Sequence, residues 1–573
     1  MQVSERQHVG FLELLRRIFC RLCEKWCPPP PPKRPDHFIA GQINLLAEHD
    51  KGLDAETIAK LAQQNPLLTD DRVPRPVIIS SKRVITFEFA DRARAFSLVF
   101  VDLPALREQP VKLVQLINTI NIQINAQDRG DGDSDPKRQS DASGPRGDYS
   151  GAGDPAGAPH EGDRPRTLDS STGEQNQSDA LIMRRAAPNW LSSGAKDIGG
   201  GGPGARPVPP APASLVANAK SDKAPWEFTL PSGLPQGRDG EDIEVAILDT
   251  APDKADMDRA YTNWRAANPL IRNLFGPNGT LQVTYGGYSH LVQLADGFLN
   301  DHTYPMADHG VFVAGIIRAL APKAKLHLIE VLNPYGLGSI ETIALGLQRL
   351  MNRSPDQPRL LVNCSLVINI PPADLLAALQ AQDPIWREFD AQTLQESSEI
   401  LRVICQELQS QGVFLFAAAG NDGDPNADKD NDPNTIPHPK PHYPAAFPSV
   451  TGVAALQADD TPAPYSDVCD DPPVEGMAVF GGDVDRTLNE NADPIHGMLG
   501  VFTSLQYPDG RLNGNGWARW AGTSFATPAL TGAVAALLGA KGIATPQDAI
   551  TALRAIDKKV PTDVGESVHI AQG

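Results

Sequence analysis

The sequence predicts an α/β fold: a parallel sheet flanked by helices on both faces, preceded by a small α+β domain and a long disordered linker. Three observations predict it. From about residue 240 onward, short β-branched runs alternate with stretches of helical spacing, the pattern of strands crossing over through helices. Residues 128–239 are mostly linker: the run QDRGDGDSDPKRQSDASGPRGDYSGAGDPAGAP has almost no apolar residues and cannot bury a core. Ahead of them, residues 37–127 carry both helical and strand-like patterns.

Taken in order, residues 1–36 read as an amphipathic helix and a stiff spacer. Phe11, Leu14, Leu15, Ile18, Phe19 and Leu22 fall on one helical stripe, with Arg16, Arg17 and Arg21 elsewhere. Such a helix packs on protein or lies on a membrane surface, so peripheral membrane association through residues 9–26 is one expectation. Cys20, Cys23 and Cys27 lack an evident fourth metal ligand. Pro28–Pro32 form a polyproline spacer.

In residues 37–127, IAGQINLLAEHD and DAETIAKLAQQ have helical spacing, RVITFEFA and FSLVFVDL read as strands, and VKLVQLINTINIQI is helical again. Within the linker, an apolar island at 179–193, with the sequence DALIMRRAAPNWLSS, is expected to dock onto something. The region 240–573 is expected to be one large domain. IEVAILD, KLHLIEVL, RLLVNCS and GVFLFAAAG read as buried parallel strands, separated by helical segments such as SIETIALGLQRLM and SSEILRVICQELQSQG.

Bulk composition narrows the function. The formal net charge of -19 disfavours nucleic-acid binding, which needs a basic face against phosphate. Six cysteines in 573 residues do not make a disulfide framework, and Cys364 and Cys405 sit in apolar runs as small core residues. No run of 18 apolar residues occurs, so no transmembrane segment is expected. The first 27 residues mix acids and arginines into their apolar stretch, and the cytoplasm is the expected compartment.

In an open parallel sheet, chemistry collects at the carboxyl ends of the strands. Asp249 ends the first strong strand, His309 opens HGVFVAGIIRAL, and Ser524 opens SFATPALTGAVAALL. Each alone has a plain structural reading: a helix cap for the serine and histidine, a metal or ribose contact for the aspartate. Together they supply a nucleophile, a base to deprotonate it and a carboxylate to orient the base. Asn421, at the end of FAAAGN, supplies a side-chain amide to hold an oxyanion.

The order Asp…His…Ser and the local sequences EVAILDTAP, DHGVFVAGII, FAAAGN and GTSFATP resemble the subtilisin-like serine peptidase family (peptidase S8, subtilases) over roughly residues 240–560, and HYPAAFPSVTGVAA resembles its segment after the oxyanion asparagine. The resemblance implies a serine endopeptidase that forms an acyl-enzyme, with Asp249, His309, Ser524 and Asn421 as catalytic groups and no required cofactor. It implies that Gly336, Leu337 and Gly338 form one edge for an extended peptide substrate and Ser365, Leu366 and Val367 the other. Ala418, Ala419 and Gly420 would line the pocket for the residue before the cut. Ala251, Phe312 and Val367 depart from the family pattern, and the 60 residues between Asp249 and His309 imply an insertion beside the cleft. Asp422, Asp424, Asn426 and Asp428, followed by Asp430 and Asp432, alternate as calcium ligands do, although a solvated acidic loop explains them too, and they could also attract basic substrate residues.

Members of this family often carry an inhibitory prodomain whose last strand enters the cleft, and LIMRRAAPNWLSS resembles such a tail. Residues 37–193 are therefore expected either to restrain the peptidase as a zymogen or, through residues 1–127, to recruit an activating partner.

Overall fold

The computed structural model describes residues 38–88, 92–130, 181–193, 207–215, 223–287, 306–351, 359–371, 376–423, 438–470, 476–484, 496–556 and 563–572. The amphipathic stripe at 9–26, Cys20, Cys23, Cys27 and the acidic positions 424–432 lie outside them.

The first elements are β1 (Phe38–Asp50), α1 (Ala55–Gln64), β2 (Ile78–Phe87), β3 (Arg94–Asp102), α2 (Pro110–Gly130) and β4 (Leu181–Ser193). β4 is the apolar island. It lies antiparallel to β1, with Leu181 opposite His49 and Trp190 opposite Phe38. β1 continues antiparallel to β3, and β3 to β2. The helical reading of residues 39–50 is corrected: they are the middle of strand β1. Covered on both faces and paired on both edges, this strand shows no apolar–polar alternation, and Ile39, Ile43, Leu46 and Ala47 imitate a helical stripe. The helices at 55–64 and 110–130 and strands β2 and β3 form where the pattern places them.

The second body is a sheet of eight strands, all parallel. Its chain order is β5 (Ile243–Asp249), β6 (Leu281–Thr284), β7 (Lys325–Glu330), β9 (Arg359–Cys364), β11 (Phe414–Ala418), β12 (Val450–Leu456), β13 (Met477–Phe480) and β16 (Glu566–Val568). In space the order is β16-β13-β12-β11-β9-β5-β7-β6. Helices α3 (Lys254–Trp264), α4 (Pro269–Leu274), α5 (His309–Leu320), α6 (Ile340–Gln348), α7 (Ala391–Ser410), α8 (Thr523–Leu537) and α9 (Pro546–Ile556) connect and cover the strands, with short edge strands β8 (Leu337–Ser339) and β10 (Val367–Ile368) and the hairpin β14 (Met498–Val501) and β15 (Trp517–Trp520) outside the sheet. Cys364, Cys405 and Cys469 are buried free thiols, as expected of small core residues. Among the described residues no helix is long and apolar enough to cross a membrane.

The first sheet is not an independent body, because one apolar core runs from β1, β3 and α2 into α6 and α7. Trp190 at its centre is fully buried and stacks on Trp386 at 6.4 Å, with Phe38 and Phe389 each at 5.6 Å. Polar contacts surround it. Arg83 on β2 forks onto Glu341 in the first turn of α6 at 2.6 Å and also pairs with Asp102 at 2.7 Å. Arg92 pairs with Glu407 on α7, and Asn118 Nδ2 donates to the Glu388 carbonyl at 2.7 Å. Replacing Trp190 by Ala is expected to lower the unfolding free energy by about 3–5 kcal/mol, read from chemical denaturation of the full chain.

Candidate active site

Asp249 is the last residue of β5 and is wholly buried. A buried carboxylate needs donors. Its Oδ1 accepts the Thr250 backbone N–H at 2.7 Å and His309 Nδ1 at 2.8 Å. Because a carboxylate only accepts, the imidazole proton lies on Nδ1, which leaves Nε2 as the basic nitrogen.

The start of α5 is clamped to present that ring. Thr250 Oγ1 donates to the Met306 carbonyl at 2.8 Å and accepts the Gly310 N–H at 3.2 Å. Gly310 has to be glycine, since a Cβ there would meet the Thr250 carbonyl at 2.1 Å. Asp308, wholly buried, accepts from the backbone N–H and hydroxyl of Thr503, each at 2.5 Å, and from the backbone N–H of Ser504 at 3.0 Å and its hydroxyl. Burial pushes the Asp308 carboxyl above its ordinary range while these donors pull it back. The His309 ring lies edge-on to Trp520 at 5.3 Å and beside Phe525 at 5.2 Å. Phe312, where the family pattern has histidine, completes this cage, 4.7 Å from Phe525. Ala251 is buried and has no positive φ, so the turn after Asp249 accepts its Cβ without strain.

Ser524 stands in the first turn of α8, a helix buried along its whole length. Pro528 lacks the N–H that would close the first i→i−4 bond onto the Ser524 carbonyl. Ser365 Oγ takes that acceptor instead at 2.7 Å, and Asn363 Nδ2 in turn donates to Ser365 Oγ at 2.8 Å. The Ser524 hydroxyl donates to the Ser365 carbonyl at 3.3 Å rather than to His309. Asn421 is oriented by Thr523, whose N–H and Oγ1 donate to its Oδ1 at 2.9 and 3.0 Å. Thr523 also contacts Gly420: the Gly420 N–H lies 3.3 Å from its Oγ1 and the Gly420 carbonyl 3.2 Å. Asp249, His309, Ser524 and Asn421 thus gather at the carboxyl ends of the strands, together with Ala418, Ala419 and Gly420.

Both expected substrate edges are occupied by the chain itself. The end of β4 runs antiparallel to β8, with Ser192 opposite Gly338 and Ser193 opposite Leu337. On its other side it runs antiparallel to β10, with Ser193 opposite Val367 and Ser192 opposite Ile368. Leu366 is buried in the core beneath this edge, and Gly336 turns the chain into the opposite one with φ 77°.

Of the calcium candidates, Asp424, Asn426 and Asp428 lie outside the described residues. Asp422 Oδ2 is 2.5 Å from His442 Nε2, and its N–H donates to Asp467 Oδ1 at 3.0 Å. Burial raises the Asp422 carboxyl and the imidazole beside it more than offsets this, leaving it low. Two carboxylates and an imidazole nitrogen are not the all-oxygen set that calcium prefers, so the described part of this loop does not fit that ion. Gly420 packs directly on this group: with φ 131°, a Cβ would meet Asp467 Oδ2 at 2.0 Å.

Sequence reasoning missed Asp308, Thr250 and Thr523, although each adjoins a residue it named. Their signal was a hydrogen-bonding side chain beside a motif residue. The partners lie far away in the chain, 195 residues in the case of Asp308 and Thr503.

Residues 240–560 match the family model described as the subtilase family. Subtilisin NAT of Bacillus subtilis subsp. natto is 24% identical over 338 residues, 56% of this chain and 63% of that protein. Serine protease AprX of Bacillus subtilis (strain 168) is 25% identical over 334 residues, 53% of this chain and 65% of that protein. The chain thus spans somewhat under two thirds of the length of these relatives. Among solved structures, a lanthipeptide protease aligns over 58% of this chain and 86% of its own, at 19% identity and a TM-score of 0.36. A mutant form of the protease domain of PatA aligns over 59% of this chain and 94% of its own, at 20% identity and a TM-score of 0.34. Replacing Asp308 by Ala strands two buried donors of Thr503 and two half-buried donors of Ser504 and is expected to lower the unfolding free energy by at least about 2 kcal/mol, measured by urea denaturation.

Proposed function

The chain belongs to the subtilase family, and on that premise we propose that it is a serine endopeptidase held inactive by its own residues 38–193. The observation that carries this is the seating of β4: its end pairs with both β8 and β10, the two edges expected to hold an extended substrate.

In the proposed reaction, His309 Nε2 removes the Ser524 proton as Oγ attacks a peptide carbonyl. Asp249 keeps the other imidazole proton on Nδ1 and stabilises the imidazolium. Asn421 Nδ2 and the Ser524 backbone N–H hold the oxyanion. His309 returns the proton to the leaving amine, and water then hydrolyses the acyl-enzyme with the same histidine as base. The hydroxyl needs only to rotate from the Ser365 carbonyl toward His309. A bound peptide would add as a strand between Gly336–Gly338 and Ser365–Val367, taking affinity from main-chain bonds, with its side chain before the cut against Ala418, Ala419 and Gly420. No step of this chemistry needs a cofactor.

The register of β4 also proposes where the chain cuts itself. Ser193 stands opposite Val367, and Ser365, whose carbonyl takes the Ser524 hydroxyl, lies two positions earlier. The chain is therefore proposed to cut itself beyond the end of β4, between residues 193 and 240. Packing of the first sheet on α6 and α7 favours restraint over a recruitment role for residues 38–127.

Wild-type protein is expected to yield a fragment whose amino terminus lies between residues 194 and 240, seen by mass spectrometry, while Ser524→Ala stays intact. A fluorophosphonate should label Ser524 once the amino-terminal fragment carrying β4 is removed. Lack of labelling then, or equal cleavage in Ser524→Ala, refutes the proposal. Asn421→Ala is expected to lower turnover of a peptide substrate roughly 100- to 1000-fold.

A further inference from the structure

At the far pole of the eight-stranded sheet from Ser524 lies a cleft of about 450 Å³, lined by Tyr261, Arg272, Asn273, Phe275, Asn278, Thr280, Arg318 and Pro322. Most of it comes from the insertion between Asp249 and His309. Arg318 comes from the last turn of α5, nine residues past His309, or about 14 Å along the helix.

Arg318 is the unusual group. Its side chain belongs to a residue only 3% exposed. Nη1 is tied to the Pro322 carbonyl at 2.5 Å, whereas Nε and Nη2 are buried and donate to no acceptor among the described residues. No carboxylate pairs with it there, and burial alone pulls its guanidinium down to about 10. Burying an unpaired cation costs several kcal/mol, and this one is buried in a chain of net charge -19, where carboxylates are plentiful. The buried, unpaired Nε–Nη2 edge is the fork that meets two oxygens of one anion, and the bond from Nη1 to Pro322 fixes its direction. The exposed Arg272 supplies a second cation at the rim. Asn273 and Asn278 offer neutral donors, while the Thr280 hydroxyl donates to the Asn273 carbonyl at 3.0 Å, and Phe275 and Tyr261 form an aromatic wall.

We propose that this cleft binds a small oxyanion, a phosphate- or carboxylate-bearing molecule, with the Arg318 fork on its anionic head and Arg272 closing over it. The site does not depend on the peptidase reading, and its test reads binding, not proteolysis.

The experiment titrates inorganic phosphate and, separately, succinate into full-length Ser524→Ala protein by calorimetry, with melting temperature followed in parallel. Saturable binding of either anion is expected, with a matching rise in melting temperature; whichever binds more tightly identifies the head group. Arg318→Lys keeps the charge but loses the fork and should bind about ten- to hundredfold more weakly. Arg272→Ala, an exposed change that leaves the fold intact, should also weaken binding. Absence of binding for both anions overturns the proposal. So does affinity unchanged in Arg272→Ala and in Arg318→Lys, which would place the anion elsewhere and leave Arg318 to be solvated by water.

Discussion

A carboxylate with no exposure to solvent, at the end of a central strand, constrains everything around it. Asp249 could not be tolerated in the sheet without the Thr250 amide and the His309 ring on its Oδ1. That requirement fixes the entry of α5, and Thr250, Gly310 and Asp308 exist in their places to hold it. The partners of Asp308 at 503–504 precede the hairpin strand that delivers Trp520, and Trp520 cages the imidazole. Packing, hydrogen bonding and the orientation of the His309 imidazole are thus one arrangement rather than three.

The parallel sheet was legible because its strands are short β-branched runs between amphipathic helices, and because helices and strands differ in period. The four polar residues were legible because each sits at a strand end or helix start with a recognisable neighbourhood. What escaped was nonlocal. Strand β1 imitates a helix because burial on both faces removes alternation, and only its partners, β3 and β4, reveal the strand. Asp308, next to His309, drew no reading of its own: it precedes helix α5 without capping it and reaches the loop at Thr503 instead. Asp422 looked like one ligand in an alternating acidic run, while its partners His442 and Asp467 come from elsewhere in the chain.

The departures from the family pattern have local compensation. Phe312 gives up a polar side chain and gains a place among Trp520, Phe525 and the glycine at 500, where a Cβ would meet its ring at 2.6 Å. Pro528 opens a carbonyl that Ser365 closes. In each case the residue that fills the gap lies on a different element, which ties the helix of Ser524 to the strand edge along which peptide is proposed to lie.

The thirteen residues of β4 belong to two structures at once, a sheet at one end and a channel at the other. Occupancy of the channel is therefore set by the docking of the whole first sheet and not by the few bonds made in the channel. In the proposed zymogen, an incoming peptide would compete with a neighbour that never diffuses away, so its apparent affinity would be scaled by the fraction of molecules in which β4 has lifted. On that proposal, every 1.4 kcal/mol held in the contacts of Trp190 and Arg83 would shrink that fraction about tenfold, which would let residues far from Ser524 set the threshold at which a substrate is noticed.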